Sequence, residues 1–209
     1  MKRHISTFFG AFALIALAFS APPAAAQAPG PRAEGLDMVI GAADAPITMI
    51  EYASLTCPHC ANLQIETMPK LKAAYIDTGK MKLVFRDFPL DRIALNAAMI
   101  ARCAGPERYF TFIDVFFAQQ SNWIKGTTAD QIMGNLRRLA RTGGMNDAAI
   151  DACLANTEVQ NAVLQQSMKG ESEHKVSATP TLVINGTVFR GEATFEELDK
   201  VLKPLAAKR

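Results

Sequence analysis

Cys57-Pro58-His59-Cys60 sets two thiols two residues apart, where the apolar run Pro46 to Tyr52 gives way to a helical pattern from Ala61. Cysteines so spaced at the start of a helix can close and open a disulfide. A helix N-terminus offers unpaired N–H groups and a partial positive charge, which stabilise a thiolate on Cys57 and lower its pKa. Pro58 suits the first helical turn, where its missing N–H costs nothing. His59 is expected to add positive charge or a hydrogen bond to the same thiolate, which favours the reduced form and makes the disulfide a stronger oxidant. A structural disulfide and half of a zinc site are the competing readings. Zinc usually takes about four ligands, and no second close Cys/His pair accompanies this one, so no metal is expected.

Exchange chemistry also needs a group that moves a proton when Cys60 is released or attacked. Glu51 lies six residues before Cys57 in an otherwise apolar strand, where burial would raise its pKa and suit it to that task. The competing readings are an ion pair with a lysine such as Lys72, or a buried carboxylate satisfied by water. Thr179-Pro180 stands at the entrance to a later strand. A proline there is compatible with a cis peptide bond that turns the chain toward the cysteines and exposes the Thr179 backbone to an extended substrate segment. An ordinary trans proline opening a strand is the alternative.

The elements that must position these residues follow from apolar spacing. Met38-Val39-Ile40 is expected as a short edge strand and Ile47 to Tyr52 as a buried central one. A helix is predicted from Pro58 to about Thr78, kinked or restarted at Pro69 and closed by Gly79, with Lys82-Leu83-Val84-Phe85 as the next strand. Residues 91–173 read helical, with segments near 92–103, 106–120, 128–142, 146–154 and 156–173; Phe110, Phe112, Phe116, Phe117 and Trp123 are expected in their core. Thr181–Ile184 and Thr187–Arg190 flank Asn185-Gly186, a strong hairpin signal, and an amphipathic helix capped by Thr194 runs from Phe195 to Leu205. His174 is given no role.

The first residues follow a different logic. Lys2, Arg3 and His4, an apolar run from Phe8 to Phe19, and Ala24-Ala25-Ala26 read as a cleavable export signal over 1–26, with residues 27–36 a flexible lead-in rich in Pro, Gly and Ala. The chain carries 22 Lys and Arg against 20 Asp and Glu. Removing Lys2 and Arg3 with the signal evens the balance, and a neutral surface without a basic run gives no ground for nucleic-acid binding. The four cysteines, at 57, 60, 103 and 153, all lie beyond the cleavage site, and an even count in an oxidising compartment favours two disulfides.

Glu51, Cys-Pro-His-Cys at the head of a helix, a long helical stretch, and Ala-Thr-Pro-Thr-Leu-Val-Ile-Asn-Gly at 178–186 together resemble the DsbA family of exported thiol oxidases. The resemblance implies an α/β thioredoxin fold in two parts, 37–90 and 174–209, with an all-helical subdomain inserted over 91–173. It implies that Cys57 is the exposed attacking sulfur and Cys60 its buried partner, that Pro58 and His59 tune the potential, that Glu51 is the buried acid, and that Pro180 is a cis proline contacting substrate together with Thr179. The best-known member has valine before that proline; threonine is shared with isomerases and other oxidases. Cys103 and Cys153 match family members with an additional, structural disulfide in the insertion. The function implied is donation of the Cys57–Cys60 disulfide to reduced exported proteins by a periplasmic monomer. It needs no cofactor of its own and is reoxidised by a DsbB-like, quinone-linked membrane protein. A disulfide isomerase or reductase is the alternative, although the short lead-in leaves no room for the oligomerisation region of such isomerases. A chaperone or copper-handling module is the alternative of another class.

Overall fold

The computed structural model describes Met1 and residues 32–207, so the export signal expected over 1–26 and most of the lead-in lie outside the described residues, Met1 apart. The apolar runs build the centre of one sheet. β3 (Ile47–Ala53) lies parallel to β4 (Met81–Asp87) and antiparallel to β5 (Thr181–Ile184). β2 (Asp37–Ile40) pairs antiparallel with β4, and β6 (Thr187–Val188) antiparallel with β5. β1 (Arg32–Glu34) pairs outside β2, giving the order β1-β2-β4-β3-β5-β6.

Two expectations are corrected here. The lead-in does not stay free as far as residue 36, and β2 is not the edge strand. Gly35, at φ +62°, opens a tight turn that folds Arg32–Glu34 back onto β2, a conformation most other residues would resist. At the opposite edge, Asn185 and Gly186 both have positive φ, as the hairpin signal required. The ladder there is shorter than Thr187–Arg190: Phe189 still donates its N–H to the Leu182 carbonyl at 2.8 Å, but β6 itself ends at Val188.

The helix after Cys57 runs as α1 (Pro58–Asn62), a π-helical segment Leu63–Thr67, α2 (Met68–Leu71) and a second π-helical segment Lys72–Ile76. Pro69 falls in the first turn of α2, directly after the wider π turn, so its missing N–H is absorbed without breaking the rod. Between β4 and β5 come α3 (Arg92–Cys103), α4 (Pro106–Ala118), α5 (Gln120–Trp123), α6 (Ala129–Thr142), α7 (Asp147–Leu154) and α8 (Thr157–His174); α9 (Phe195–Ala206) closes the chain. Side chains of Asp91, Thr128, Asn146, Asn156 and Thr194 cap α3, α6, α7, α8 and α9 by accepting N–H groups of their first turns. The architecture is the α/β sheet with an all-helical insertion that the resemblance implied. Among the described residues no helix is long and apolar enough to cross a membrane.

Phe110, Phe112, Phe116, Phe117 and Trp123 are all buried, and Phe85 of β4 meets Tyr109 and Phe110 of α4 edge to face, with ring centroids 6.0 and 6.4 Å apart. Polar contacts then set the insertion on the sheet. Asp87, at the end of β4, takes Arg102 Nε at 2.6 Å and the Tyr109 hydroxyl at 2.9 Å. Gln166 of α8 accepts the Asp87 N–H at 2.8 Å and donates to the Leu36 carbonyl at 2.7 Å. Cys103 and Cys153 form a disulfide joining α3 to α7.

Candidate active site

Cys57 is the N-cap of α1, with extended backbone at φ −80° and ψ 120°. Its N–H donates to the Ser54 carbonyl at 3.0 Å, which folds the chain between β3 and α1 into a tight loop. Thr56 in that loop donates to Asp91 at 2.7 Å, the same carboxylate that caps α3. Gln120 of α5 reaches across and donates its amide to the carbonyls of Leu55 and Cys57 at 2.9 and 3.0 Å. The site is therefore held from the sheet and from the insertion.

The Thr179-Pro180 bond is cis. Its loop lies over α1, and the Cys57 thiol donates to the Thr179 carbonyl at 3.3 Å. Both active-site cysteines carry free thiols, Cys57 6 % exposed and Cys60 fully buried. This corrects the expectation of an exposed Cys57. Its sulfur is the more accessible of the two, but the Thr179 loop covers most of it. Pro58 and His59 are exposed beside it, and a cavity of about 490 Å³ opens against His59, Glu66, Pro180 and Glu192.

These surroundings drive the two thiols apart. Hydrogen bonding from Cys60, then from Thr179 and from the backbone N–H groups of Cys60 and His59, overcomes burial and brings Cys57 down to about 5. The Thr179 hydroxyl is buried without a hydrogen-bond partner among the described residues and adds to the lowering that the Cys60 thiol leads. Cys60 is pushed far above the ordinary thiol range by burial first, then by its bond to Cys57 and by the nearby Glu51. The His59 ring makes no hydrogen bond or ion pair among the described residues. The backbone N–H of His59 is one of the groups that lower the Cys57 pKa.

Glu51 is fully buried in β3, with Phe85 of β4 and Leu182 of β5 in register on either side. Burial, and secondarily the Asp114 carboxylate, push its pKa up to about 8. Lys72 pairs with Asp77 instead, so the ion-pair reading of Glu51 does not hold. The thioredoxin family model matches residues 33–204, nearly all of the described chain. The chain belongs to the thioredoxin family.

Within that family it stands with proteins of DsbA type. The crystal structure of Wolbachia pipientis alpha-DsbA1 is similar at a TM-score of 0.77 and 30 % identity, over 84 % of this chain and 94 % of that one. A structure described as a protein-disulfide isomerase from Novosphingobium aromaticivorans matches at 0.73 and 26 %, over 80 % and 96 %. A Rickettsia bellii protein with a provisional protein-disulfide oxidoreductase name is 31 % identical over 72 % of this chain and 57 % of its own length. The chain thus spans little more than half of that relative.

Several residues of this DsbA-like site escaped the sequence reading. Gln120 follows a run of apolar residues, and nothing local shows that its amide will reach the Cys57 carbonyl. Asp114 looks like an ordinary polar position on an amphipathic helix. His174 does have a contact. Arg86 donates to the Tyr52 hydroxyl at 2.6 Å, and that hydroxyl shares a hydrogen bond of 2.9 Å with His174 Nδ1, at the end of the helix before the loop that leads to Thr179.

Proposed function

We propose that this DsbA-like protein is a thiol:disulfide oxidoreductase that donates the Cys57–Cys60 disulfide to reduced exported proteins. It works as a periplasmic monomer once residues 1–26 are removed. The observation that carries this reading is the opposite tuning of two thiols three positions apart, Cys57 toward the thiolate and Cys60 toward the thiol. A dithiol whose outer member is a stable thiolate favours its reduced form, so its disulfide is readily given away.

A substrate thiolate attacks Cys57, the bond to Cys60 breaks, and a mixed disulfide forms. Cys60 leaves with the electron pair and, in its dry setting, requires a proton at once; Glu51 is the neighbouring acid, protonated at neutral pH, that supplies it. A second substrate thiol then displaces Cys57 as its stabilised thiolate. Pro58 starts the helix that presents N–H groups to this sulfur, and His59 supplies one of them. Thr179-Pro180 lies where an extended substrate would pass, against the cavity beside His59. Cys103–Cys153 serves as a staple within the insertion. Reoxidation falls to a DsbB-like, quinone-linked membrane protein.

A second reading, disulfide isomerase, is favoured by Thr179 and by the likeness to the Novosphingobium protein described as an isomerase. The test is incubation of the oxidised protein with a reduced, multi-cysteine substrate, in parallel with a scrambled one. Stoichiometric loss of substrate thiols that Cys57→Ser abolishes is the expected result. Rearrangement of scrambled bonds without net thiol loss would overturn the oxidase reading in favour of the isomerase.

A further inference from the structure

The sheet carries a second, smaller apolar cluster on the face away from Glu51, and the exchange reaction gives it no task. Tyr52 follows Glu51 in β3, so its side chain points to the opposite face, where it is fully buried with Phe88, Val176 and Val183. Its hydroxyl accepts from Arg86 at 2.6 Å and shares a hydrogen bond of 2.9 Å with His174 Nδ1. Arg86 is itself buried, paired with the Asp37 carboxylate at 2.8 and 3.0 Å, and stands 5.5 Å over the Tyr52 ring. A buried ion pair loses much of its attraction to dehydration, so stability alone is a weak account of this arrangement.

What the arrangement fixes is a loop. Residues 175–180 run from the end of α8 to β5 and carry Thr179-Pro180. At the α8 end, His174 meets the Tyr52 hydroxyl, and Lys175 turns in left-handed backbone at φ 56°. Val176 then donates its N–H to the Gly170 carbonyl at 3.2 Å and packs in the Tyr52 cluster. Gly170 lets α8 come this close, since a Cβ there would lie 2.6 Å from the Tyr52 ring. At the β5 end, Thr181 pairs in register with Tyr52, and its hydroxyl donates to the Ala178 carbonyl at 2.7 Å. Ser177 and Ala178, between these two feet, are exposed. One tyrosine thus holds both ends of the loop whose Thr179 carbonyl takes the Cys57 thiol at 3.3 Å.

We propose that Tyr52, fixed by Arg86 and acting through His174, is a positioning residue for the exchange reaction: it sets how closely the Thr179-Pro180 loop lies against Cys57 and against a client's backbone. The inference rests on the Cys57 chemistry proposed above. Without the bond between hydroxyl and imidazole, the last turn of α8 and residues 175–180 are released together. Thr179 then stands farther from the sulfur, and an extended client segment meets a less ordered partner. Client binding weakens more than the chemistry does, because the sulfur itself is held elsewhere, by the start of α1 and by Gln120. Thr179 is among the groups that lower the Cys57 pKa, so the thiolate becomes less favoured as well.

The test uses Tyr52→Phe and His174→Phe, which remove the two partners of that bond and keep a ring in each place, together with the double variant. Tyr52→Phe leaves Arg86 its ion pairs with Asp37 and Glu173. For each protein the thiolate absorbance of the reduced form is followed against pH, and KM and kcat are measured for oxidation of a reduced cysteine peptide by the oxidised form. In each single variant the Cys57 midpoint should rise by about half a pH unit, part of what a hydrogen bond to a charged group is worth. KM should rise about threefold, on the scale of one hydrogen bond, with kcat nearly kept. The double variant should do no more than Tyr52→Phe alone, because both changes remove the same bond. A merely structural role would lower stability in urea and leave midpoint and KM where they are. Wild-type midpoints and KM in both single variants would overturn the proposal, as would single effects that add in the double variant. A wild type that fails to oxidise the peptide would overturn the oxidase reading instead, and the thiolate midpoints would still decide whether Tyr52 positions Thr179.

Discussion

Cys57 and Cys60 carry the same side chain, yet one meets its neighbour's thiol and N–H groups at a helix start while the other meets apolar walls and an acid. The difference has a thermodynamic consequence. An unfolded cysteine titrates near 9.0, whereas folded Cys57 titrates at about 5. Between those values the folded, reduced protein holds a thiolate that the unfolded chain does not. Its stabilisation is therefore fully present above about 9 and fades as the pH falls to about 5. Glu51 runs the other way: raised from 4.5 to about 8, it favours folding below 4.5 and loses that contribution as the pH rises through 8. Glu51 is present in both redox forms, so comparing them isolates the thiolate. Urea unfolding of the reduced and oxidised forms at several pH values should show the balance shifting toward the reduced form from about 5 upward; a gap that does not change with pH would contradict the placement of Cys57. The Cys-Pro-His-Cys spacing and Glu51 were legible because each is carried by chemistry written in adjacent residues. The tuning by Thr179, 122 positions away, depends on a loop path that no local pattern encodes.

The central strands and long helices were legible because a buried strand or an amphipathic helix announces itself through the spacing of its own apolar residues. β1 was missed because its three residues, Arg32 to Glu34, carry no such spacing and are ordered by pairing with β2. The contacts that seat the insertion were missed for a related reason: Gln166 is one polar residue in the eighteen of α8, and its worth lies in partners more than 60 positions away. The fully buried Gln166 side chain holds the Asp87 N–H, Arg102 and the Leu36 carbonyl. Leucine there would leave the Asp87 N–H buried and unpaired, while Arg102 keeps Asp87 and the Leu36 carbonyl, and Gln166→Leu should lower stability by about 2 kcal/mol in urea unfolding. A loss under about 1 kcal/mol would mean that the insertion seats on the sheet by apolar packing alone.

For the molecule as a whole, the Cys103–Cys153 bond constrains the unfolded chain over a separation of 50 residues. The pairing was implied by family resemblance and not by spacing, since four cysteines allow other connectivities. In the chain-entropy model a loop of that size is worth about 4 kcal/mol, so the Cys103→Ser, Cys153→Ser double variant should lose up to about that much in urea unfolding. Its Cys57 thiolate absorbance should keep its midpoint, as befits a staple set apart from the exchange site; a shifted midpoint would give the second disulfide a part in setting the potential. Gln120 makes the opposite kind of connection. By gripping the carbonyls of Leu55 and Cys57 from α5, it ties the backbone of the attacking cysteine to the insertion. Under the proposed exchange, a client protein joined to Cys57 as a mixed disulfide would pull, as it folds, on an anchorage shared between sheet and insertion. In that reaction the helical insertion would serve as a mechanical brace as well as a cover, keeping the sulfur in line for the second thiol to strike.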